Sequence, residues 1–185
     1  MLTHPRPAPS PILAAALQSL AGSGAGRALL LPLLAACKLA QGVWEGLDGV
    51  QVEAHAGRIH TIALDGAAMV ILSHPADLPD GWCWIPAASA DLYRQSLGYA
   101  PLDISIEVGR IPNPRPALVK SGSRTCAQGW DPRLLALPAT VIEALGIQKR
   151  VIMRAEYGGR LEPVRLSAKW RELAIMVIIM PCRLP

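Results

Sequence analysis

The chain contains two copies of one apolar pattern, and this repetition constrains its fold more than any other feature. Each copy begins with a leucine-rich segment that reaches a proline, at residues 27–32 and again at residues 133–138. Each copy ends with the tripeptide Met-Val-Ile, at residues 69–71 and again at residues 176–178. Repetition at this distance predicts a helix-plus-sheet unit that occurs more than once. Chance similarity between apolar segments is the alternative explanation.

Helical and strand patterns follow one another in the same order within each copy. In the first copy a helical pattern extends to about residue 40, and three strand patterns follow, joined by turns at Ala56-Gly57 and Asp65-Gly66. We therefore predict an α+β fold of repeated units, each with a short helix packed on antiparallel strands. The predicted strands are residues 49–54, 58–64, 69–72, 103–108, 117–120, 151–156, 161–166 and 173–180, and later helices are predicted at residues 88–97 and 138–145.

The beginning of the chain differs from the rest. Residues 1–10 are rich in proline, Ser10 and Pro11 form a helix start signal, and the small residues at 22–26 are typical of a flexible linker. We predict three regions. They are a flexible N-terminal segment with a short helix at 1–26, a domain of two units at 27–126, and a C-terminal half-domain at 127–185.

Composition limits the functions open to the chain. It is 51% hydrophobic and 17% charged and has no Phe, so its core must be mainly aliphatic. A net charge of +4 permits contact with phosphate groups but is too small for a dense basic patch. The four cysteines lie far apart, which predicts neither a zinc knuckle nor a redox dithiol and favours reduced thiols in a cytoplasmic protein.

No enzyme or membrane pattern stands out. The sequence has no nucleophile elbow, no spaced carboxylate pair and no phosphate-binding loop, and its histidines lack metal-ligand spacing. The apolar run at residues 173–180 is too short to cross a bilayer, and residues 11–20 lack the charged start of a signal peptide. We therefore expect a non-enzymatic protein without a cofactor, a metal site or membrane contact.

The order of segments resembles the bacterial DNA polymerase sliding clamp, the β-clamp. Residues 47–53 are similar to a strand of the clamp's middle domain, residues 61–69 to the Asp-Gly loop that follows, and Trp84-Ile85-Pro86 to a strand that ends in Val-Pro. Residues 180–184, Met-Pro-Cys-Arg-Leu, are similar to the family's Met-Pro-Met-Arg-Leu terminus. The resemblance covers residues 27–185 and depends on the order of these segments, since no single motif is specific.

The resemblance implies two binding surfaces. In the family, partner peptides insert apolar side chains into a groove, and helices that line a central hole contact DNA without sequence specificity. Carried over position by position, the groove residues are Leu64, Gly66, Met69, Pro86, Ile178, Met180, Pro181, Cys182 and Arg183. The implied DNA-contacting residues are Lys38, Arg94, Lys149 and Arg150. One departure is Ala67-Ala68, which replaces the family's His-Arg pair and removes the polar part of the groove wall.

The implied partners are double-stranded DNA, a DNA polymerase or another protein with a clamp-binding motif, and further copies of this chain. A clamp protomer has about twice as many units as this chain can hold, so a ring of the usual size would take four copies, a tetramer. Two alternatives stay open. Residues 135–166 also resemble the swapped-hairpin antitoxin and transition-state regulator family, which binds operator DNA as a dimer, and a clamp-like scaffold that does not encircle DNA would preserve the same pattern.

Overall fold

Short helices and antiparallel strands alternate along the chain. The computed structural model describes residues 5–41, 48–106, 132–156 and 163–180. The elements are α1 (Pro11–Gly22), α2 (Gly24–Lys38), β1 (Gly49–His55), β2 (Arg58–Leu64), β3 (Ala68–Pro75), β4 (Gly81–Pro86), α3 (Ala87–Gln95), α4 (Pro132–Ala144), β5 (Arg154–Glu156), β6 (Val164–Trp170) and β7 (Leu173–Ile179). The predicted α+β class, with helices packed on antiparallel strands, is confirmed.

The strands form one seven-stranded sheet in the order β4-β1-β2-β3-β7-β6-β5. Every neighbouring pair of strands is antiparallel. A tight turn joins β1 to β2, and its residues Ala56 and Gly57 have φ angles of 49° and 72°. Two successive positive φ angles match the right-handed twist of the strands, which is why this turn makes a hairpin.

The repeated pattern corresponds to a repeated structure. The first copy is α2-β1-β2-β3 and the second is α4-β5-β6-β7, and the two copies meet where β3 pairs with β7. Met69 lies opposite Ile178, Val70 opposite Val177 and Ile71 opposite Met176. Each Met-Val-Ile tripeptide therefore lies antiparallel to the other with its valine at the centre. A local two-fold axis consequently passes between Val70 and Val177 and relates the two copies.

The main core lies between the helices and one face of the sheet. Leu13 and Leu17 of α1 and Leu30 and Leu34 of α2 are completely buried, and burial of such side chains stabilises a fold by about 1.5–3 kcal/mol each. They form one cluster with alternate strand residues, which are Val50, Val52, Ala54, Ile59, Ala63, Val70, Leu72, Cys83, Ile85, Ile175, Val177 and Ile179. This alternation defines an inner, helix-covered face of the sheet and an opposite, outer face.

The predicted linker at residues 22–26 is wrong. Ser23 ends α1 through its backbone N–H, which donates to the Leu20 carbonyl, and its hydroxyl caps α2 by accepting from the Gly26 N–H at 2.9 Å. The two helices meet at 105°. Serine is a strong N-cap because its side chain satisfies a backbone donor that has no partner inside the helix, so the small residues form a helix corner instead of a flexible segment. The division into regions at residues 27–126 and 127–185 stays a prediction.

Several predicted boundaries differ from the structure. Helix α4 begins at Pro132, six residues before the predicted start, and Pro138 lies inside it, as Pro32 lies inside α2. Proline favours the first turn of a helix but also occurs inside one when packing compensates for its missing donor. Strand β5 is shorter than predicted, β6 is shifted towards Trp170, and in the predicted strand at 103–108 the described residues form only a bridge from Ser105 to Trp84. The predicted strand at 117–120 lies outside the described residues.

The region that resembles a swapped-hairpin regulator is part of this sheet. Strand β6 pairs with β5 on one side and with β7 on the other, all within one chain. Within the described residues, no single helix is long and apolar enough to cross a membrane, and α1 and α2 meet that criterion only as a sharply bent pair.

Candidate functional site

Four of the predicted groove residues lie in one row across the outer face of the sheet. Leu64 pairs with Met69, and Met69 pairs with Ile178, so three adjacent strands bring these side chains together. Pro86 lies on the same face at the end of β4, two strands from Leu64 and opposite Gly49. Since adjacent strands are about 4.8 Å apart, Pro86 lies about 10 Å from Leu64. The structure thus brings together residues that are more than one hundred positions apart in sequence.

The centre of this row is buried. Met69, Ile178, Ile62 and Ile71 form a hydrophobic cluster separate from the main core, and Met69 is only 4% exposed. The half-buried Leu64 and Met176 pack against its margin. Ile62, Ile71 and Met176 were not predicted, although the sequence carried a signal for them. Strands β3 and β7 are apolar at nearly every position instead of at every second one, which is the pattern of strands that are buried on both faces.

The remaining predicted groove residues lie at the end of the row or outside the described residues. Gly66 is the exposed tip of the turn between β2 and β3, where its φ of 89° requires glycine. The carboxylate of Asp65 accepts hydrogen bonds from the backbone N–H groups of Ala67 and Ala68, which shapes this turn. Met180 is half-buried, and its N–H donates to the Ala67 carbonyl at 2.8 Å. Pro181, Cys182 and Arg183 lie outside the described residues.

Two of the predicted DNA-contacting residues share one carboxylate. The Lys38 ammonium at the end of α2 lies 2.6 Å from one oxygen of Asp91, and the Arg94 guanidinium of α3 lies 3.0 Å from the other. Asp91 was not predicted, because nothing in the local sequence indicates that α2 and α3 pack side by side. The negative charge of Asp91 cancels one of the two positive charges of Lys38 and Arg94, so the three side chains together carry about one positive charge.

The other two predicted DNA-contacting residues are more exposed to solvent. Lys149 and Arg150 follow α4 and are both exposed. The helix layer also exposes apolar side chains, since Leu92 of α3 is 53% exposed and Leu135 of α4 is 52% exposed. The outer surface of the helices is therefore mixed, with separated cations and exposed leucines, and is far from a continuous basic stripe.

A polar cluster lies on the outer face beside β4, and the sequence did not indicate it. Glu53 of β1 is completely buried and accepts a hydrogen bond from the side-chain amide of Gln51. The Arg6 guanidinium in turn donates to Gln51 at 3.2 Å and lies 4.0 Å from the centre of the Trp82 ring. Burial of a carboxylate requires such hydrogen-bond partners. The N-terminal residues from Arg6 to Ser10 thus cover this part of the sheet.

The environment of the two described cysteines does not activate their thiols. Cys37 and Cys83 are both completely buried free thiols. Burial raises the pKa of each thiol to about 12, and the nearby Thr61 side chain opposes part of that shift for Cys37. The thiolate is the reactive form of cysteine, so neither side chain is poised as a nucleophile.

One apolar cavity lies away from the predicted surfaces. It has a volume of about 600 Å³ and lies between α2, the end of α4 and the turn from β6 to β7. Its walls are mainly apolar and include Leu29, Leu33, Leu145, Trp170 and Leu173. In the described ranges no group of three His, Cys, Asp or Glu side chains is close enough to hold a metal ion.

Comparison with solved structures identifies the fold. The DNA polymerase sliding clamp from Bacillus subtilis superimposes with a TM-score of 0.61 at 12% sequence identity, over 86% of this chain and 63% of that one. The DNA polymerase III beta subunit from Thermotoga maritima gives 0.65 at 11% identity, over 86% and 64%. The beta subunit from Streptococcus pyogenes gives 0.61 at 13% identity, over 85% and 64%.

Sequence comparison adds nothing to this result. No protein-family model matches the chain, and no curated protein does. The chain spans slightly less than two thirds of the length of the clamps it matches. These matches show that the chain has the fold of the bacterial DNA polymerase sliding clamps, in a shortened form.

Proposed function

We propose that the chain is a non-enzymatic, clamp-like tethering factor that holds a partner protein on double-stranded DNA. The observation that carries this proposal is the row of Pro86, Leu64, Met69 and Ile178, four positions implied by the clamp resemblance that lie on one face of a clamp-like fold. The partner is a DNA polymerase or another protein with an apolar clamp-binding peptide. Further copies of the chain take part, and four copies would complete a ring of the usual number of units.

Peptide binding is proposed for the margin of the row, where Leu64, Pro86 and Met180 are half-buried and can be covered further by a ligand. A rigid apolar surface costs little conformational entropy on binding, and methionine adapts its shape to different side chains. Pro181, Cys182 and Arg183 would extend this wall. The Ala67-Ala68 segment would offer a partner less polar contact than the family's His-Arg pair.

Replacing Leu64 with lysine is expected to weaken binding of a fluorescent clamp-motif peptide by about tenfold or more, because it places a cation in an apolar contact. Fluorescence anisotropy measures the affinity, and thermal unfolding checks that the variant is folded. The matched control is Leu92→Lys, which makes the same change on an exposed position of α3. Unchanged affinity in folded Leu64→Lys would contradict the proposed groove.

DNA contact is proposed for the helix side, through Lys149 and Arg150 with a smaller contribution from the Lys38–Arg94–Asp91 cluster. Contacts to phosphates are independent of sequence and release counterions, so the affinity falls as salt rises. Their small number predicts weak binding by a single copy. Several copies on one DNA would add their contacts and strengthen it.

The double variant Lys149→Glu/Arg150→Glu is expected to bind duplex DNA about tenfold or more weakly and to lower the slope of affinity against salt concentration by about two. Anisotropy of a labelled duplex over a salt series measures both quantities. Lys169→Glu is the control, because Lys169 is exposed on the outer face of the sheet. Equal losses in the control and the double variant would contradict a helix-side DNA surface.

A second candidate function is a clamp-like scaffold that does not encircle DNA. The observation that favours it is that β4, one of the two outer strands, already has neighbours on both sides, whereas a closed ring of identical subunits needs two open edges. Co-elution with a circular plasmid separates the two candidates. Loss of co-elution after the plasmid is cut favours a ring, and retention favours a scaffold that contacts DNA from one side.

A further inference from the structure

The apolar cavity between α2, the end of α4 and the turn from β6 to β7 is separate from the predicted peptide groove. It adjoins His74 near the end of β3, whereas the row of groove residues crosses β3 at Met69. The length of strand between these two positions is about 16 Å. His74 comes two residues after Leu72 of the main core, so it lies on the inner face of the sheet, opposite to the row. The cavity is therefore a second, independent candidate for a binding site.

Contacts within the chain hold one wall of the cavity in place. The Arg58 guanidinium donates to the backbone carbonyls of Ser73 and Glu172, both at 3.0 Å, and so ties the turn from β6 to β7 to the end of β3. Arg171 in the same turn has a φ of 52°, which a residue other than glycine adopts only where its surroundings hold it. A wall that is already fixed costs little conformational entropy when a ligand binds.

The composition of the walls favours an uncharged aromatic ligand. The half-buried Trp170 lines the cavity, and aromatic rings pack favourably against each other in stacked or edge-to-face arrangements. Arg171 and Glu172 are the exposed charged residues of the lining, and their opposite charges leave no net charge at the opening. The volume of about 600 Å³ is typical of a small-molecule site. The rest of the wall is mainly aliphatic and includes Leu29, Leu33, Leu145 and Leu173.

His74 adds one hydrogen-bond acceptor to this apolar wall. Its Nδ1 lies 2.6 Å from the backbone carbonyl oxygen of Pro75. A carbonyl oxygen can only accept, so Nδ1 carries the proton of the neutral imidazole ring and Nε2 is the acceptor. His74 lines the cavity and is half-buried. A ligand with an N–H or O–H group matches this acceptor.

We propose that the cavity binds a small, uncharged aromatic molecule with one hydrogen-bond donor, of the indole or phenol type, with its ring against Trp170 and its donor on Nε2 of His74. Helix α2 belongs to the first repeated unit, and Leu145 and Trp170 belong to the second. A ligand in the cavity therefore contacts both units, and it is expected to raise the melting temperature of the chain. This site is independent of the proposed DNA and peptide surfaces.

The test compares indole with benzofuran on the full-length chain at pH 8. The two probes have nearly the same shape, but benzofuran has an oxygen where indole has its N–H donor. The unchanged chain is expected to bind indole about fivefold or more tightly than benzofuran. His74→Phe is expected to bind the two equally, because phenylalanine keeps an apolar ring but has no acceptor. NMR chemical-shift titration measures the affinities, and thermal unfolding checks that the variant is folded.

Blocking the cavity provides a second measurement. Ala28 lines the cavity and is exposed, so Ala28→Phe places a ring in the opening and is expected to weaken indole binding about tenfold or more in a folded chain. The matched control is Ala25→Phe, which makes the same change at another exposed position of α2 outside the cavity lining. Leu64→Lys in the predicted groove is expected to leave indole binding unchanged.

Four results would overturn the inference. They are an unchanged chain that does not bind indole at millimolar concentration, equal affinities for indole and benzofuran, a preference for indole that persists in folded His74→Phe, and equal indole affinities of Ala28→Phe and Ala25→Phe. Loss of indole binding in folded Leu64→Lys would also overturn it, because the ligand would then occupy the peptide groove. Failure of peptide binding in Leu64→Lys with indole binding intact supports two separate sites.

Discussion

Replacing Gly26 with alanine is expected to destabilise the fold by about 3 kcal/mol or more. A Cβ atom at residue 26 would lie 1.7 Å from the Leu20 carbonyl oxygen and 2.4 Å from its carbonyl carbon. Both atoms belong to the backbone of α1, so a change of side-chain rotamer cannot relieve the overlap. The corner between α1 and α2 would have to open, and that would separate buried leucines such as Leu17 and Leu30 from the sheet.

Gly24 provides the matched control in the same helix. A Cβ at residue 24 would have only the Arg27 guanidinium near it, at 4.0 Å. Gly24→Ala is therefore expected to have a stability within about 0.5 kcal/mol of the unchanged chain, or slightly greater, because alanine restricts the unfolded state more than glycine does. Urea unfolding monitored by circular dichroism measures both variants. Equal stability of Gly26→Ala and Gly24→Ala would contradict the tight corner.

Raising the pH from 8 to 10 is expected to lower the free energy of unfolding by about 1.4 kcal/mol for each of the two buried thiols. The pKa of Cys37 and of Cys83 is raised by burial from 9.0 to about 12. A thiol with a raised pKa in the folded state contributes its full stability below pH 9. It loses that contribution as the pH rises from 9 towards 12, because the unfolded chain releases the proton first.

The thiol contribution can be separated from other alkaline effects. Burial also raises the pKa of Tyr93, whose hydroxyl donates to the Ala21 carbonyl at 2.9 Å, so the tyrosine weakens the fold in the same direction. The variant Cys37→Ala/Cys83→Ala retains the tyrosine and is expected to lose less stability than the unchanged chain between pH 8 and 10. Denaturant unfolding at both pH values gives the difference. Parallel losses in the two proteins would show that the thiols do not titrate as described.

Strands with strong local signals were predictable almost residue by residue. The turn residues Ala56-Gly57 and Asp65-Gly66 delimit β2 within the limits the sequence predicted. The start of α4 was not predictable, because Pro138 is typical of a helix start and the packing of α4 against α2 and β7 is not visible in the local sequence. The linker at residues 22–26 was misjudged for a related reason. Three glycines suggest flexibility until the close approach to Leu20 is known.

For the candidate sites too, some residues could be selected from the sequence and others could not. The order of segments along the chain was enough to select Leu64, Met69 and Ile178, and the sheet then placed them in one row. The partner of Lys38 and Arg94 could not be selected, because Asp91 reaches Lys38 across 53 positions of sequence. The packing of the N-terminal segment beside β4 could not be predicted either, because Arg6 and its partner Gln51 are 45 positions apart.

The sequence by itself determined the repeating unit, a helix followed by three antiparallel strands, because hydrophobic periodicity and turn residues act between near neighbours. Only the tertiary structure decided how the two units join and which segments cover the outer side of β4. Those outcomes depend on backbone pairing between distant segments, as between strands β3 and β7 or between Trp84 and Ser105. Nearly every residue has the same backbone N–H and C=O groups, so the residue pattern does not indicate which of these groups will pair.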